Sequence, residues 1–404
     1  MTEGLSLILV CQESPWPARH GGTVDMLRRL KALHASGVRV FLIAWSEEPA
    51  KAGLVEELSK YAEKVEILPY QRGFKQRIKL LGKFFKYPGP VCTRWVSEKK
   101  MTLLLNAVKG FGAGHVMQDG LMAGGLARVL AKKIGLKLLV RSHNIEHLYW
   151  RQQCVRARGL AWLKIRLRLV GLERFERDGL RLAARFFDIS ADDLLAWQKR
   201  GFINGLWLPP IVAVDAVGSA DFERTPDFDL AFVGNLRMPN NIEGVRWLLD
   251  EVIPVLSEHL GRPVRTLVAG SAPSAEIVRL IERTPQAVLL PDFEHLGDVL
   301  ASAKVLVNPM LAGSGVALKT VDMLLSGRSV VSTSQGVSGL PSELKAMIHI
   351  EDSTEAFAEA LADSIVDERS LEQAREQREL VSALFGPSAI RPLLKVLAGG
   401  EASS

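Results

Sequence analysis

Cysteine is scarce in this chain of 404 residues, which has only Cys11, Cys92 and Cys154. Their spacing includes no pair of the kind that binds zinc or forms a redox motif, so we expect free thiols in a reducing compartment. The pattern of a signal peptide is also missing, because the apolar run 5–11 is too short to span a membrane and follows Glu3 instead of a basic flank. We therefore predict a first β-strand there and a protein that stays in the cytoplasm.

Short apolar runs alternate with amphipathic stretches, a pattern typical of parallel α/β sheets. With 404 residues, 48% of them hydrophobic, the chain can build two cores, so two domains are expected. The first series of predicted strands is 7–10, 38–43, 65–68, 115–117 and 136–140. The second series is 230–233, 265–269, 287–290, 305–307 and 330–332.

The two series are separated by Leu208-Pro209-Pro210 and a polar stretch, which indicates an interdomain linker. The predicted fold class is α/β, with two Rossmann-like doubly wound domains that face a cleft. The predicted parts are an N-terminal domain at 1–210, a linker at 211–226, a second domain at 227–380, and a C-terminal helix and tail at 381–404 that can pack back on the first domain.

The segment 309–327 suits phosphate and sugar binding. It predicts a strand, a tight turn and a helix, and Gly313 and Gly315 allow the backbone to approach a ligand closely. The amino terminus of the helix, near Val316, attracts an anion. Lys319 and Asp322 share one helix face, where they suit a diphosphate and the hydroxyls of a ribose. Ordinary turn glycines and a solvated pair of charges remain the alternative interpretation.

Four stretches in sequence order resemble the retaining GT-B glycosyltransferases of family four. The similarity runs from the first predicted strand to at least Gly339, and it implies that the N-terminal domain lies on the acceptor side and the second domain binds a nucleotide sugar. The stretches are His20-Gly21-Gly22, Arg141-Ser142-His143-Asn144-Ile145-Glu146-His147, Phe232-Val233-Gly234-Asn235-Leu236 with Pro239-Asn240-Asn241, and Gly313-Ser314-Gly315-Val316 with Lys319, Asp322 and Gly327.

The resemblance implies roles for single side chains. His143 is expected to face the transferred sugar, and Arg237 and Lys319 are expected to neutralise the leaving diphosphate, so these three are the predicted catalytic residues. Asp292 and Phe293 are expected to hold the nucleotide base mostly by their backbone. The full set of predicted donor-binding residues is Gly21, Gly22, Gly234, Asn235, Asp292, Phe293, Gly313, Ser314, Gly315, Val316 and Asp322.

Each of these motifs also has a plain structural interpretation. A histidine at the end of a strand is often a loop residue with satisfied hydrogen bonds. Gly21 and Gly22 can form an ordinary turn between a strand and a helix, and Arg237 can be a surface charge beside a turn.

Two places depart from the family pattern. Many members carry two glutamates eight residues apart in the donor segment, where this chain has Ser314 and Asp322. The contact of the first glutamate with the sugar must then come from the backbone of the turn. Asn240 and Asn241 stand where a second basic residue is expected, so neutralisation of the leaving diphosphate would depend on Arg237 and Lys319.

The implied reaction is transfer of a sugar, with retention at the anomeric carbon, from a nucleoside diphosphate sugar of the UDP or GDP type. The expected acceptor is an envelope or exopolysaccharide precursor, which is expected to be lipid-linked. No cofactor and no metal are expected, because no Asp-x-Asp motif lies in a suitable loop and a helix amino terminus with two cations can replace a metal. The alternatives are a non-catalytic nucleotide- or glycan-binding subunit and a sugar-nucleotide epimerase on the same fold.

Basic residues cluster in the N-terminal half. The segment 71–100 has nine Lys or Arg against Glu98 alone, interleaved with aromatic and aliphatic residues. A second basic helix, with Trp162 and Leu163, is predicted over 151–185. Such faces favour an anionic membrane, at about 1 kcal/mol for each basic group. A solvated face and nucleic-acid binding are the alternatives, but no nucleic-acid motif occurs, so we expect peripheral attachment to the inner membrane face.

Overall fold

The computed structural model describes residues 4–18, 21–49, 51–70, 87–212, 214, 217, 225–313, 315–367 and 369–400. The chain divides into two compact units. The first unit consists of Met1–Ile211 and Ala389–Ser404, and the second consists of Val212–Ser388.

The first unit is built on a parallel sheet that has seven strands among the described residues. The strands are β1 (Ser6–Cys11), β2 (Arg39–Ser46), β3 (Lys64–Pro69), β4 (His115–Asp119), β5 (Lys137–Ser142), β6 (Arg185–Asp188) and β7 (Gly205–Trp207). Their order in the sheet is β3-β2-β1-β4-β5-β6-β7. The order reverses between β1 and β4, and open α/β sheets bind ligands beyond the carboxyl ends of the strands at such a point.

Helices cover both faces of this sheet. Ile8 and Val10 contribute to the core on one face, and Leu7 and Leu9 to the core on the other, because successive side chains of a strand alternate. Burial on both faces explains why these strands are continuous apolar runs. The helices are α1 (Gly21–Ala35), α2 (Leu54–Ser59), α3 (Gly89–Cys92), α4 (Glu98–Phe111), α5 (Gly124–Ile134), α6 (Glu146–Arg156), α7 (Gly159–Leu169), α8 (Leu172–Leu182) and α9 (Ala191–Lys199).

The second unit repeats the plan with a parallel sheet of six strands among the described residues. The strands are β8 (Phe228–Val233), β9 (Thr266–Gly270), β10 (Ala287–Pro291), β11 (Ala303–Asn308), β12 (Ser329–Ser332) and β13 (His349–Ile350). Their order is β10-β9-β8-β11-β12-β13, so the reversal lies between β8 and β11.

Three helices of the second unit begin at a serine cap. The side chains of Ser274, Ser353 and Ser370 each accept a hydrogen bond from a backbone N–H in the first turn of the helix that follows. The helices are α10 (Pro239–Trp247), α11 (Ile253–Leu260), α12 (Ala275–Glu282), α13 (Leu296–Ala301), α14 (Leu318–Leu325), α15 (Ser342–Lys345), α16 (Thr354–Val366) and α17 (Leu371–Phe385).

The C-terminal helix α18 (Arg391–Leu397) belongs to the first unit, where Leu393 is fully buried in the core that contains Leu7 and Leu9. The sequence placed the end of the second domain at 380. The second unit instead ends at Ser388, because Gln377, Val381 and Phe385 recur every four residues and bury one face of α17.

One stretch among the described residues, Leu371–Leu397, has the length and composition of a membrane span. Part of its apolar surface is used in packing, since Val381, Phe385 and Leu393 are fully buried in the protein, whereas Leu371 is 76% exposed. The backbone is also interrupted between α17 and α18 by Gly386 and Pro387.

The predicted fold class is confirmed, with two doubly wound α/β sheets. All ten predicted strands are present, with ends that shift by at most three residues. The sequence did not indicate β6, β7 and β13, which have four, three and two residues and are too short to give a clear apolar run.

The predicted basic helix over 151–185 is wrong. That range holds the end of α6, then α7 and α8, and it reaches the first residue of β6. Gly159 begins α7 and Gly171 lies just before α8, with φ angles of 58° and 71°, which lie in the left-handed region that favours glycine. Other predictions concern His20, most of the basic segment 71–100, most of the linker 211–226 and Ser314, and these lie outside the described residues.

Candidate functional site

The loop after β11 holds the predicted donor glycines. Gly315 has a φ of 70°, and a Cβ atom on Gly313 would lie 2.7 Å from Cε of Met310. The left-handed conformation at 315 therefore needs glycine for the path of the loop itself, whereas a side chain at 313 would have to displace only the flexible end of Met310. The helix α14 begins at Leu318 and not near Val316, because Ala317 is still extended.

A buried polar cluster fixes this loop. The side-chain amide of Asn308 donates to Oγ1 of Thr320 at 2.8 Å and to the carbonyl of Gly336 at 3.2 Å. Thr320 Oγ1 donates to the same carbonyl at 2.7 Å, and Thr333 donates to the carbonyl of Met310. These bonds tie both ends of the loop to the carboxyl ends of β11 and β12.

Lys319 lies in the first turn of α14 with an unusual environment for a cation. Its Nζ donates to Oδ1 of Asn241 at 2.7 Å and lies 4.6 Å from the ring centroid of Phe232. The side chain is half-buried, and desolvation lowers the pKa of its ammonium to about 7. A diphosphate at this place would supply the negative charge that restores the protonated form.

Asn241 connects Lys319 to the turn after β8. Its Nδ2 donates to the carbonyl of Asn235 at 2.9 Å, and a Cβ on Gly234 would lie 3.0 Å from the same nitrogen. Asn235 Oδ1 accepts from the backbone N–H of Arg237 at 3.0 Å. The structure thus brings Gly234, Asn235 and Lys319 together at the strand reversal, while the side chain of Arg237 is exposed nearby.

Three more of the predicted donor residues belong to the second unit, and two of them follow a strand at the same edge of its sheet, because the strands are parallel. Asp292 and Phe293 follow β10, and Asp292 has a φ of 48° while its Oδ1 accepts from the backbone N–H of Ala272 at 3.2 Å. Asp322 is half-buried in α14, one turn after Lys319.

In the first unit, His143 follows β5 and contacts the end of the neighbouring strand β4. Its Nε2 lies 2.7 Å from Oδ1 of Asp119, which is fully buried, whereas the side chain of His143 remains 12% exposed. Asp119 was not predicted from the sequence, although its place as the last residue of a central strand was a usable signal.

Further charged groups surround Asp119. Its Oδ2 accepts from Arg29, which also donates to Asp25 at 2.7 Å. Asp25 accepts from Arg141 at 2.8 Å, and Arg141 donates to the carbonyl of Leu208 at 2.7 Å. No role was predicted from the sequence for Asp25 and Arg29, whose spacing of four residues places them on one face of α1.

Opposing effects set the pKa values of this group. Burial alone would raise the pKa of Asp119, but Arg29, His143 and Arg141 outweigh it and hold this pKa far below its usual range. Burial likewise opposes ionisation of Asp25, and Arg141 and Arg29 keep its pKa lowered. Both carboxyl groups are therefore ionised at neutral pH.

The glycines of the first motif begin α1. Gly21 and Gly22 are its first two residues, and Asp25 and Arg29 follow on the buried side of the same helix. The two glycines thus lead directly into the helix that carries half of the charged network.

The loop that carries His143 is fixed from α8. The carboxylate of Glu176 accepts from the backbone N–H of Glu146 at 2.8 Å and from Nδ1 of His147 at 2.5 Å. This contact caps the amino terminus of α6, the helix that follows the loop. Burial, with Glu176 nearby, raises the pKa of Glu146.

Among the described residues, no group of three or more His, Cys, Asp and Glu side chains could hold a metal ion. Asp227-Phe228-Asp229 has the Asp-x-Asp spacing, but Asp229 accepts from both terminal nitrogens of Arg262, at 2.8 and 2.9 Å. An ion pair at the start of β8 accounts for this carboxylate.

Residues 227–367 match the family model of the Glycosyl transferases group 1. A protein of Klebsiella pneumoniae, described as an uncharacterized 44.6 kDa protein in the cps region, is 26% identical over 359 residues. The alignment covers 82% of this chain and 84% of that protein.

Solved structures share the fold at low identity. Sucrose-phosphate synthase from Thermosynechococcus elongatus has a TM-score of 0.66 with 15% identity, and the match covers 98% of both chains. HepE from Anabaena in complex with UDP has a TM-score of 0.66 with 13% identity, over 98% of this chain and 100% of that chain. HepE in complex with UDP-glucose has a TM-score of 0.64 with 12% identity, over 98% and 99%. The fold is therefore that of the GT-B glycosyltransferases.

Proposed function

We propose that this chain, whose residues 227–367 match the family model of the Glycosyl transferases group 1, transfers a sugar from a nucleoside diphosphate sugar to a polysaccharide precursor. The observation that carries the proposal is the site at the reversal between β8 and β11. There, Lys319 is desolvated, held by Asn241 and placed in the first turn of α14. A helix amino terminus beside a cation whose hydrogen-bond partner is a neutral amide is suited to bind a diphosphate.

The comparisons support the kind of donor and acceptor. HepE, which has the same fold, was solved with UDP and with UDP-glucose, so a uridine nucleotide is the first donor to test. The relative from Klebsiella pneumoniae is named from a cps region, which favours a capsule or other surface polysaccharide as the product.

The chemistry follows from what the side chains can do. Lys319, Arg237 and the first backbone N–H groups of α14 would stabilise the charge that develops on the leaving diphosphate, without a metal ion. His143 would contact the transferred sugar. Asp322 would accept hydrogen bonds from the ribose, and retention at the anomeric carbon is the outcome that the sequence resemblance favours.

The test is donor hydrolysis with a panel of UDP-, GDP- and ADP-sugars, together with calorimetry of UDP and GDP. An active transferase should bind one nucleoside diphosphate and hydrolyse its sugar slowly when no acceptor is present. Lys319→Met should weaken that binding by about 1.5–3 kcal/mol. Binding without hydrolysis would favour the non-catalytic subunit, and interconversion of donors would favour an epimerase. No binding of any nucleotide would reject the donor site.

We also propose that the first unit docks on an anionic membrane, where a lipid-linked acceptor would lie. The helix α7 has no buried side chain, and Leu160, Leu163 and Leu167 are 76%, 48% and 63% exposed. Their spacing places them on one face, while the same helix carries Lys164, Arg166 and Arg168. Exposed leucines beside basic residues are typical of helices that lie in the membrane interface.

Sedimentation with anionic vesicles tests this docking. Leu160→Gln, Leu163→Gln and Leu167→Gln in one protein should reduce sedimentation, and added salt should weaken the binding of the wild type. The matched control changes three exposed apolar residues elsewhere, Ile203→Gln, Val366→Gln and Leu371→Gln, which are 87%, 75% and 76% exposed. Wild-type protein that ignores anionic vesicles at low salt would contradict the docking.

A further inference from the structure

Four charged side chains are buried together in the first unit at the carboxyl ends of β4 and β5. Asp25, Arg29, Asp119 and Arg141 are each at most 5% exposed, and every one of them bonds to another. Burying ion pairs costs desolvation energy that apolar side chains of the same size would avoid. The network meets the surface at His143, so its effect is expected there.

Asp119 uses its two oxygens for different partners. Oδ2 accepts from Arg29, and Oδ1 lies 2.7 Å from Nε2 of His143. An ionised carboxylate can only accept hydrogen bonds, so Nε2 must carry the proton in this contact. Neutral imidazole has one proton, and Nδ1 is then left as an acceptor.

We propose that Asp119 is a positioning residue: paired with Arg29, it fixes the tautomer of His143 that presents Nδ1 as an acceptor for a sugar hydroxyl group. The identity of the sugar ligand rests on the proposed function, but the tautomer itself does not. Asp25 and Arg141 support this arrangement. Asp25 accepts from the other terminal nitrogen of Arg29, and Arg141 donates to Asp25.

The substitution Asp119→Asn tests whether Asp119 sets the tautomer of His143. Arg29 requires an oxygen partner, so the new amide oxygen should face Arg29 and the amide nitrogen should face His143. An amide nitrogen can only donate, and Nε2 must then accept, which moves the proton to Nδ1. Nitrogen-15 NMR of histidine-labelled protein measures the tautomer, and His143→Ala identifies the signal.

The expected result is an Nε2–H tautomer in the wild type and an Nδ1–H tautomer in Asp119→Asn. Donor hydrolysis should fall by about 100-fold or more, while affinity for the free nucleoside diphosphate stays within about twofold. A merely structural role would not move the tautomer or separate turnover from affinity.

Asp188→Asn is the matched control. Asp188 ends β6, next to β5, and its carboxyl is fully buried, but it accepts from the backbone N–H of Ser190 instead of contacting His143. Burial raises the pKa of this carboxyl well above the usual value, which favours the neutral form that asparagine resembles. Tautomer and turnover should both stay as in the wild type.

An Nδ1–H tautomer in the wild type would overturn the proposal, even if Asp119→Asn fails to fold. Unchanged turnover in a folded Asp119→Asn protein would overturn it as well. If the wild type has the Nε2–H tautomer but hydrolyses no nucleotide sugar, the role of Asp119 in setting the tautomer is retained and the proposed function is rejected.

Discussion

In each of the two units, single residues determine the electrostatics of the candidate site residues, and they do so in opposite ways. The second unit leaves the Lys319 ammonium against an amide oxygen and an aromatic ring. In the first unit, Asp119 is ionised because Arg29 compensates it. Among the described residues, the Lys319 ammonium has no carboxylate against it, so it is suited to bind an anionic ligand. The charge of Asp119 is balanced by Arg29, so this carboxylate is suited to orient the neighbouring His143.

Binding of UDP should depend on pH through Lys319. Desolvation lowers the pKa of this lysine to about 7, and a bound diphosphate should raise it again, so binding takes up a proton. Affinity should therefore decrease from pH 6 to pH 9, by up to about tenfold for each pH unit above 7. Calorimetry in buffers of different ionisation enthalpy measures the proton uptake.

Lys319→Met should remove most of this dependence, and Lys345→Met, on α15, should keep it. A wild-type affinity that is constant across the range would show that the ammonium does not meet the diphosphate.

Arg29→Met should strongly destabilise the first unit. The change leaves Asp25 and Asp119 buried with one cation fewer, and breaking a buried pair in this way costs about 3–5 kcal/mol. Chemical denaturation followed by tryptophan fluorescence measures the loss. The matched control is Arg39→Met, which removes an ion pair with Glu63 whose side chains are 49% and 48% exposed, and it should change little. Equal losses in the two variants would contradict the argument from burial.

At the scale of elements, apolar runs predicted the central strands because parallel strands are buried on both faces. The turn after β11 was also predictable, since the left-handed conformation at Gly315 requires glycine. The start of α14 was not, because the extended conformation of Ala317 depends on the packing of the whole loop.

The network of buried charged residues in the first unit could not be predicted from the sequence, because its members lie on elements that are far apart in the chain. Arg29 and Asp119 lie 90 positions apart, and they meet only once β1 and β4 are neighbours in the sheet. From the sequence, Asn241 was notable only because it stands where the family resemblance leads one to expect a basic residue. Its contacts with Lys319 and Asn235 give it a role that no spacing rule indicates.

Close packing of α10 on the donor loop should make Gly244→Ala harmful. A Cβ atom there would lie 2.5 Å from the carbonyl oxygen of Pro309, where that loop begins. Overpacking of this kind costs about 1–3 kcal/mol, and the shift of the loop should also weaken UDP binding. Gly110→Ala in α4 is the control, because its Cβ would have no atom within 4 Å, and it should be neutral or slightly stabilising. Thermal denaturation and calorimetry would reject the prediction if both variants behave like the wild type.

At the scale of the whole molecule, the first unit is completed by the end of the chain. Removal of residues 389–404 should therefore destabilise the first unit, although the second unit precedes them in sequence. The truncation removes Ile390, Leu393, Val396 and Leu397 from the core, and each buried apolar side chain contributes about 1.5–3 kcal/mol.

Tryptophan fluorescence reports this unit well, because seven of the eight tryptophans belong to it and Trp247 alone belongs to the second. We expect unfolding of the 1–388 protein at a much lower denaturant concentration than the wild type. The control truncation removes 399–404, which begins after α18, and it should unfold like the full chain. Equal midpoints for the two truncations would mean that α18 contributes little, and the first unit would then have to be complete within 1–211.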